Sequence, residues 1–395
     1  MLETLEQRNN SKDYSWKFWF ILPIYPFGKR RTIRKEVVKD TIWTFDQLQG
    51  IFYVVVPIRM TVVKLNEGGL LVYAPIAPTP ECVRLVEELV AEHGRIKYII
   101  LPTISGLEHK VFVGPFARRF PDSLIFVAPK QWSFPVNLPL SWLGIPAKRT
   151  QVLPGDSSKT PFANEFDYNI LGPIELGAGK FAEVALFHKS SKTLLVTDSI
   201  VSVPEQPPAI IQLDTYPLLF HARDKATDIV ADTPENRRKG WKRIALFALY
   251  FRPSVLDVPK WGEVFHDAAE APKRGRKNYF GLYPFKWKDN WQRCFEALRG
   301  DGRLFVAPIL QTLILNRAPK ETISWAEQVA NWDFKRIIPC HFDAPIEATP
   351  NQFRQAFSFL EKHSNNTLPQ EDFQVLEEID TTLNKLGIPS AKEKV

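Results

Sequence analysis

The sequence predicts an α/β fold. Short runs rich in β-branched and aromatic residues alternate with amphipathic helical patterns along the 395-residue chain. Hydrophobic residues make up 45% of the chain and charged residues 24%, which is the composition of a globular protein with a sizeable core. No apolar stretch of the sequence approaches the roughly 20 residues that a membrane-spanning helix needs. These observations favour a folded α/β protein over a membrane or disordered one.

Residues 58–200 form the first half of the predicted domain and contain two hairpins. Each hairpin is a pair of β-rich runs joined by turn residues, at 66–69 and at 190–192. Between them, an amphipathic helix begins at Pro80 and ends before Gly94. A second helix is predicted at about 112–120, and residues 129–180 read as long loops with short strands. The predicted strands are 60–65, 70–74, 96–101, 124–128, 184–187 and 194–196.

The rest of the chain is mainly helical up to one last strand. Residues 201–302 are predicted to be a large, mainly helical insertion. Residues 303–365 form the second half of the domain, with a strand at 336–339 that ends just before His341. Residues 366–395 read as a polar C-terminal tail with one amphipathic helix.

Residues 1–57 are predicted to form an N-terminal arm of aromatic and basic residues. Tryptophan and phenylalanine side chains at 16–21 are followed by lysines and arginines at 29–35. Two interpretations stay open: the arm packs its aromatics on the domain, or it contacts lipid headgroups, where aromatic and cationic residues are favoured together. We expect packing to dominate, with any membrane contact peripheral and salt-sensitive.

The cysteines and the net charge of the sequence limit where the protein can be located and what it can bind. Cys82, Cys294 and Cys340 are odd in number and far apart, which fits a reducing compartment, and acidic residues near the N-terminus do not suit a signal or transit peptide. We therefore expect a cytoplasmic location. The formal net charge is +7, but acids are interspersed and no nucleic-acid module is recognisable, so no nucleic-acid partner is expected.

The residues best suited to chemistry follow predicted strands. Residues 103–109 read Thr-Ile-Ser-Gly-Leu-Glu-His and come after the strand at 96–101. Asp198 follows the second hairpin, and His341 follows the last strand. The sequence has no phosphate-cradling glycine loop, nucleophile elbow or dinucleotide fingerprint.

This order of elements and residues resembles the metallo-β-lactamase-like superfamily. That family carries T-H-x-H-x-D-H after a strand, a later His, an Asp after a hairpin strand and a last His after a late strand. Here Ile104 and Gly106 stand where the first two histidines would be, Glu108 replaces the Asp, and His109 keeps the last His. The resemblance implies an αββα sandwich, in which two sheets face each other with helices outside. It also implies that the insertion at 201–302 covers one edge or the mouth of the site.

The resemblance further implies a single divalent metal. In two-metal relatives, the lost histidines bind the first metal. The kept positions belong to the second metal and are Glu108, His109, Asp198 and His341. Two imidazoles and two carboxylates suit zinc, iron or manganese, and such a site can activate water for the hydrolysis of a small-molecule substrate. The stretch 177–181 lacks the middle histidine, and Lys180 is its nearest match, so we expect the Lys180 ammonium near the vacant first position.

Two further residues are auxiliary candidates. His221 and Asp224 lie three residues apart, so a helix would place them on one face, from which they could reach the site. The same spacing is more often that of a solvated helix face. Cys340 alternates with His341 along the chain and is expected to be a buried thiol.

A closer resemblance covers nearly the whole chain. Segments at 57–61, 107–110, 131–135 and 221–224 are similar to domain of unknown function 4336, a family of cyanobacteria and plant plastids. This resemblance implies a photosynthetic lineage and no established reaction. Two functions therefore stay open: a mononuclear metal-dependent hydrolase acting on a small molecule, or a non-catalytic binding or assembly factor beside a photosynthetic membrane.

Overall fold

Two β-sheets face each other at the centre of the molecule, and helices cover both outer faces. The computed structural model describes residues 12–17, 24–104, 107–132, 137–177, 179–361 and 368–386. The αββα sandwich implied by the sequence is confirmed. No helix in the described part of the chain is both long and apolar enough to cross a membrane.

The first sheet has seven strands that lie side by side in chain order. The first four pair antiparallel and the last four pair parallel. The strands are β1 (Ile33–Val38), β2 (Ile42–Ile51), β3 (Val54–Lys64), β4 (Leu70–Tyr73), β5 (Ile96–Leu101), β6 (Leu124–Val127) and β7 (Thr150–Val152). The hairpin of β3 and β4 is the one predicted from the turn at 66–69, where Gly68 and Gly69 both have positive φ.

Two helices connect the parallel strands and cover one face of the first sheet. Helix α1 (Pro80–His93) is capped at its N-terminus by Thr79, whose side chain accepts a hydrogen bond from the Cys82 amide, and at its C-terminus by Gly94. Helix α2 spans Leu107–Arg119, so it begins about one turn earlier than the sequence pattern predicted. Both helices share a buried apolar cluster with the sheet, because parallel strands require crossover connections that pack on the sheet face.

The second sheet has five strands. In order across the sheet they are β14 (Ile346–Glu347), β13 (Arg336–Pro339), β10 (Thr193–Val196), β9 (Lys180–His188) and β8 (Phe166–Glu175). The predicted second hairpin is confirmed as β9 and β10. The ten-residue strand β8 is a correction, since residues 129–180 were expected to hold long loops with short strands only.

Alternation of side chains builds the interior between the sheets. Leu71 and Tyr73 of β4 face the second sheet, whereas Leu70 and Val72 of the same strand face the helices. Val184 and Leu186 of β9 meet them from the other side. The Tyr73 hydroxyl donates to the Val184 carbonyl oxygen at 2.8 Å, so a direct hydrogen bond joins the two sheets.

The insertion at 201–302 forms part of the helical layer over the second sheet. Its buried residues share one cluster with Ala185, Phe187 and Leu194, which lie on the outward face of that sheet. The Tyr53 hydroxyl donates to the Lys277 carbonyl oxygen at 2.8 Å, so the insertion also contacts the turn between β2 and β3 of the first sheet. Its elements are α3 (Tyr216–Ala222), α4 (Pro234–Tyr250), β11 (Leu256–Asp257), α5 (Trp261–Glu270), β12 (Lys286–Trp287) and α6 (Trp291–Arg299).

The remaining helices follow the insertion. They are α7 (Pro308–Leu313), α8 (Pro319–Ala330), α9 (Pro350–Gln355) and α10 (Gln374–Lys385). Helix α10 lies in the stretch expected to be a polar tail, yet Leu376 is fully buried and Asp380 pairs with Arg317 at 2.6 Å. The amphipathic helix predicted in this stretch is α10, and it packs residues 368–386 on the domain.

The predicted boundary at residue 57 is also corrected. Strand β2 pairs with β3 without interruption from Ile42 opposite Val63 to Ile51 opposite Val54. The aromatics at 18–21 lie outside the described residues. Trp16 is buried and packs edge-on against Phe112 of α2, with ring centroids 5.5 Å apart. The described part of the arm is therefore packed on the domain up to the start of β1.

Candidate metal centre

The candidate ligands lie at the carboxyl ends of strands in both sheets. Strands β10 and β13 are parallel neighbours in which Val196 pairs with Pro339. Asp198 and His341 each follow that pair by two residues, so both side chains emerge at the same height of the sheet. Glu108 and His109 lie in the first turn of α2, after β5, rather than in a loop as expected. The ends of β5, β10 and β13 therefore bring three distant segments to one edge of the sandwich.

Three of the four predicted ligands meet. The Nε2 atom of His341 lies 3.1 Å from a carboxylate oxygen of Glu108 and 3.2 Å from one of Asp198. One ligand atom from each of these residues lies within 4.8 Å of the other two. The His341 Nδ1–H donates to the Pro57 carbonyl oxygen at 2.8 Å, which turns Nε2 toward the two carboxylates.

His109 lies outside this group of three. Its Nδ1–H donates to the Pro75 carbonyl oxygen at 3.1 Å, and its buried Nε2 has no hydrogen-bond partner in the described part of the chain. Burial lowers the pKa of His109, and the nearby charge of Glu108 does not overcome that effect. His109 is therefore a neutral imidazole with an unused nitrogen lone pair, which is the form that ligates a metal.

Electrostatics tie the three converging side chains together. Burial alone would lower the pKa of His341, but the charge of Glu108 and the hydrogen bonds to Asp198 and Glu108 raise it well above its usual value. Burial would raise the pKa of Asp198, but His341 lowers it through a hydrogen bond and its charge. The group is thus an imidazolium held between two carboxylates, and a divalent cation could take the place of the proton.

Glu183 is a functional residue that sequence reasoning missed. Its buried carboxylate accepts hydrogen bonds from the amides of Thr197, Asp198 and Ser199, each at 2.9 Å, and from the Ser199 hydroxyl at 2.7 Å. Burial, followed by the charge of Asp198, raises the pKa of Glu183. The signal in the sequence is a single acid inside the apolar run of β9. Glu183 fixes the backbone that carries Asp198.

Arg59 holds the segment that carries His341 and was also missed. Its buried guanidinium donates to the carbonyl oxygens of Pro339 at 2.6 Å and Phe342 at 3.0 Å. It also pairs with Asp46 at 2.7 Å. Because the two carbonyls flank His341, Arg59 fixes this turn from both sides.

The auxiliary candidates contact other residues. Lys180 pairs with Glu175 across the hairpin at 2.7 Å. The buried His221 lies 3.0 Å from the Phe52 carbonyl oxygen, and burial lowers its pKa to about 3. Asp224 pairs with Arg243 at 2.6 Å and Lys239 at 2.7 Å. Each of the three is thus engaged by residues outside the group of Glu108, Asp198 and His341.

The residues expected around the first metal position are partly described. Ile104 is fully buried, and its carbonyl oxygen accepts from the Lys110 ammonium at 2.8 Å. Gly106 lies outside the described residues. Cys340 is buried in the cluster between the sheets, as its alternation with His341 predicts, and burial raises the pKa of its thiol well above the usual value.

Comparison with known proteins identifies a family. The family described as domain of unknown function (DUF4336) matches residues 39–359. No curated protein sequence matches the chain.

The chain is similar to several solved structures at low sequence identity. A flavoprotein from Thermotoga maritima is 10% identical with a TM-score of 0.44, and the match covers 85% of this chain and 63% of that one. A metal-soaked flavodiiron core from Synechocystis sp. is 9% identical with a TM-score of 0.39, covering 84% and 61%. A metallo-β-lactamase from Pontibacter korlensis is 11% identical with a TM-score of 0.37, covering 84% and 100%. The chain thus spans less than two thirds of the first two proteins, and no activity follows from likeness at this level.

Proposed function

The chain belongs to the DUF4336 family, of metallo-β-lactamase-like fold, and from this premise we propose that it is a metal-dependent hydrolase with a single divalent cation held by Glu108, Asp198 and His341. The observation that carries the proposal is the convergence of these three side chains, which come from three distant segments. Two carboxylates and an imidazole suit zinc, iron or manganese.

The surroundings of the three side chains fit a metal. Metal-ligating histidines usually donate their second ring N–H to a carbonyl or carboxylate, as His341 does to Pro57 and His109 to Pro75. The unpartnered Nε2 of His109, on which the charges of Glu108 and Asp198 act, is a candidate fourth ligand. When bound, a divalent cation supplies Lewis acidity and stabilises the negative charge that develops during hydrolysis.

The three side chains differ in exposure, and this assigns their roles. The side chain of Glu108 is 42% exposed, against 32% for Asp198 and 10% for His341. Glu108 therefore lies on the solvent side and is placed to accept a proton from an incoming water molecule. Asp198 and His341 lie deeper and are fixed by Glu183 and Pro57, so they hold the centre in place.

Elemental analysis tests the proposal. Full-length protein purified without added metal should contain about one zinc, iron or manganese per chain. The substitution His341→Ala should remove that metal and leave the circular dichroism spectrum unchanged. His266→Ala is the matched control, because its side chain is 71% exposed on α5, and it should keep the metal. Protein that contains no metal and binds none on titration would overturn the proposal.

A non-catalytic binding factor is the second candidate function. One observation favours it: the charges of Glu108, Asp198 and His341 already satisfy one another through contacts of 3.1 and 3.2 Å. A centre of this kind is stable without a cation, and the fold would then serve as a binding platform. Metal-free protein whose melting temperature does not change with zinc, iron or manganese would favour this function over the first.

A further inference from the structure

Arg30 is a buried cation whose hydrogen-bonding capacity is mostly unused. The residue is 0% exposed, and its Nη1 donates to the Leu48 carbonyl oxygen at 3.0 Å. Among the described residues, its Nε and Nη2 atoms have no hydrogen-bond partner, and no salt bridge joins the guanidinium to a carboxylate. A buried charge without a partner is costly, so this arrangement calls for an anion.

The two unused nitrogens of Arg30 form a matched pair. The N–H bonds of Nε and of Nη2 point in the same direction on one side of the planar guanidinium. This side binds two oxygens of a carboxylate or a phosphate through two parallel hydrogen bonds. The atoms left free are therefore those that recognise an oxyanion.

Arg30 lies beside the turn that carries Glu108. Its guanidinium carbon is 5.3 Å from the ring centroid of Phe112, which is one helical turn after Glu108 on α2. Burial lowers the pKa of Arg30 to about 10, and the charge of Glu108 acts in the opposite direction. The two charges thus interact without a direct ion pair, and Nε and Nη2 of Arg30 are left without a partner among the described residues.

Further unpartnered polar atoms lie near Leu48 in the sequence. Gln49 is 2% exposed, and neither atom of its amide has a partner in the part of the chain that the structure describes. Gln47 donates to the Thr32 hydroxyl and the Ala77 carbonyl oxygen, but its own Oε1 is unpartnered. By strand alternation, both glutamines face the same side of the sheet as Phe45, which packs with α1 and α2. Phe112 belongs to that same helical layer.

We propose that Arg30, assisted by Gln49, forms an oxyanion-binding subsite beside Glu108. The inference rests on the proposed hydrolase function and adds the substrate class: small molecules with a carboxylate or phosphate group. Arg30 and Gln49 bind this group, while the bond to be hydrolysed lies toward Glu108, Asp198 and His341. The N-terminal arm thereby contributes a residue that determines specificity.

The neighbouring residue Arg31 provides a matched control. Its side chain is 39% exposed and pairs with Glu81 at 3.0 Å. Arg30→Gln and Arg31→Gln remove the same charge from adjacent positions of the same arm. A general effect of net charge would appear in both variants, whereas a subsite at Arg30 would be lost in only one.

Calorimetric titration of the full-length protein as purified, with inorganic phosphate and with succinate, tests the proposal. We expect one probe to bind per chain, at least tenfold weaker binding in Arg30→Gln, and unchanged binding in Arg31→Gln. The tighter probe identifies the group as phosphate or carboxylate. If Arg30→Gln does not fold, Gln49→Leu replaces it and should weaken binding severalfold.

The failure of this inference differs from the failure of the proposed function. Absence of binding by both probes, or equal losses in the two arginine variants, overturns the subsite even if the protein holds its metal. Binding that depends on Arg30 in a protein that takes up no metal retains the subsite and overturns the hydrolase. Metal content is therefore measured on the same samples.

Discussion

Each deep side chain at the candidate centre is positioned by a second group of the protein. His341 is oriented by the Pro57 carbonyl, and the backbone of Asp198 is held by Glu183. Arg59 fixes the turn around His341 from both sides. At the scale of single residues, the centre is preorganised by buried hydrogen bonds, which are stronger in a low-dielectric interior than in water.

Glu183→Gln should destabilise the fold by roughly 2–4 kcal/mol. The amide keeps the shape of the side chain, but its NH₂ group would face backbone N–H groups of residues 197–199, which need acceptors. Urea unfolding measures the change. Glu205→Gln is the control, since its side chain is 49% exposed, and it should change stability by less than about 0.5 kcal/mol. Equal stability of both variants would contradict the role given to Glu183.

The raised pKa of His341 gives the metal-free protein a defined pH dependence. Folding raises the pKa of His341 above its value in the unfolded chain, about 6.5. The stability that the protonated side chain adds is therefore fully present below pH 6.5 and is lost as the pH rises through the pKa of the folded protein. The free energy of unfolding lost in His341→Gln should therefore be larger at pH 6 than at pH 10. Urea titrations of both proteins at these pH values measure it, and a loss that grows with pH would exclude the imidazolium.

At the scale of elements, packing decided several outcomes that local pattern did not. Helix α2 contains Gly114 and Pro115, which obscure a helical pattern in sequence, yet Phe112 and Phe116 bury it against the first sheet. Strand β8 lies among loops and prolines, but it pairs along β9 and supports that hairpin. Tertiary contacts thus override weak local propensity in both elements.

The docking of α10 predicts the effect of a single substitution in the C-terminal segment. Asp380→Ala would leave Arg317 with a buried charge and fewer partners, since the two side chains are only 7% and 3% exposed. We expect a loss of roughly 3–5 kcal/mol in the free energy of unfolding. The exposed Glu378 lies on the same helix, and Glu378→Ala should change stability little. If this segment were instead a free polar tail, neither substitution would change the melting temperature.

At the scale of the whole molecule, the insertion and the two halves share one hydrophobic core. Trp241 of α4 is fully buried, its indole N–H donates to the Pro204 carbonyl oxygen, and its ring lies 6.0 Å from that of Phe342. The residues next to His341 therefore pack directly on the insertion. Loss of this contact should therefore destabilise the whole molecule rather than one element.

Trp241→Ala should lower the free energy of unfolding by roughly 3–5 kcal/mol, because it leaves a large cavity in the shared core. Trp261→Ala removes the same side chain from a position that is 61% exposed in the same insertion, and it should be nearly neutral. Fluorescence and circular dichroism should report one coincident transition for the wild type. Two separate transitions, with only one shifted by Trp241→Ala, would show that the insertion is an independent unit.

Local sequence pattern determined the elements that have a regular spacing of apolar residues or have proline or glycine at their ends. The strands at 96–101 and 336–339 and the helix from Pro80 to His93 have the predicted bounds, because apolar runs, a proline and a glycine mark them within the chain. The motif at 103–109 and the positions of Asp198 and His341 singled out the candidate ligands only through the resemblance to the metallo-β-lactamase-like superfamily. Resemblance to a family, rather than local pattern, supplied the αββα arrangement.

Only the tertiary structure decided which of these residues meet and what supports them. His109 lies apart from the group, Lys180 pairs with Glu175, and Arg30 of the N-terminal arm is fully buried where the charge of Glu108 acts on it. Glu183 and Arg59 gained their roles through partners that are 14–16 and 280–283 residues away in the chain. Local propensity reflects neighbours within a few residues, whereas burial, charge pairing and hydrogen bonding depend on which distant strands end at the same edge of the sandwich.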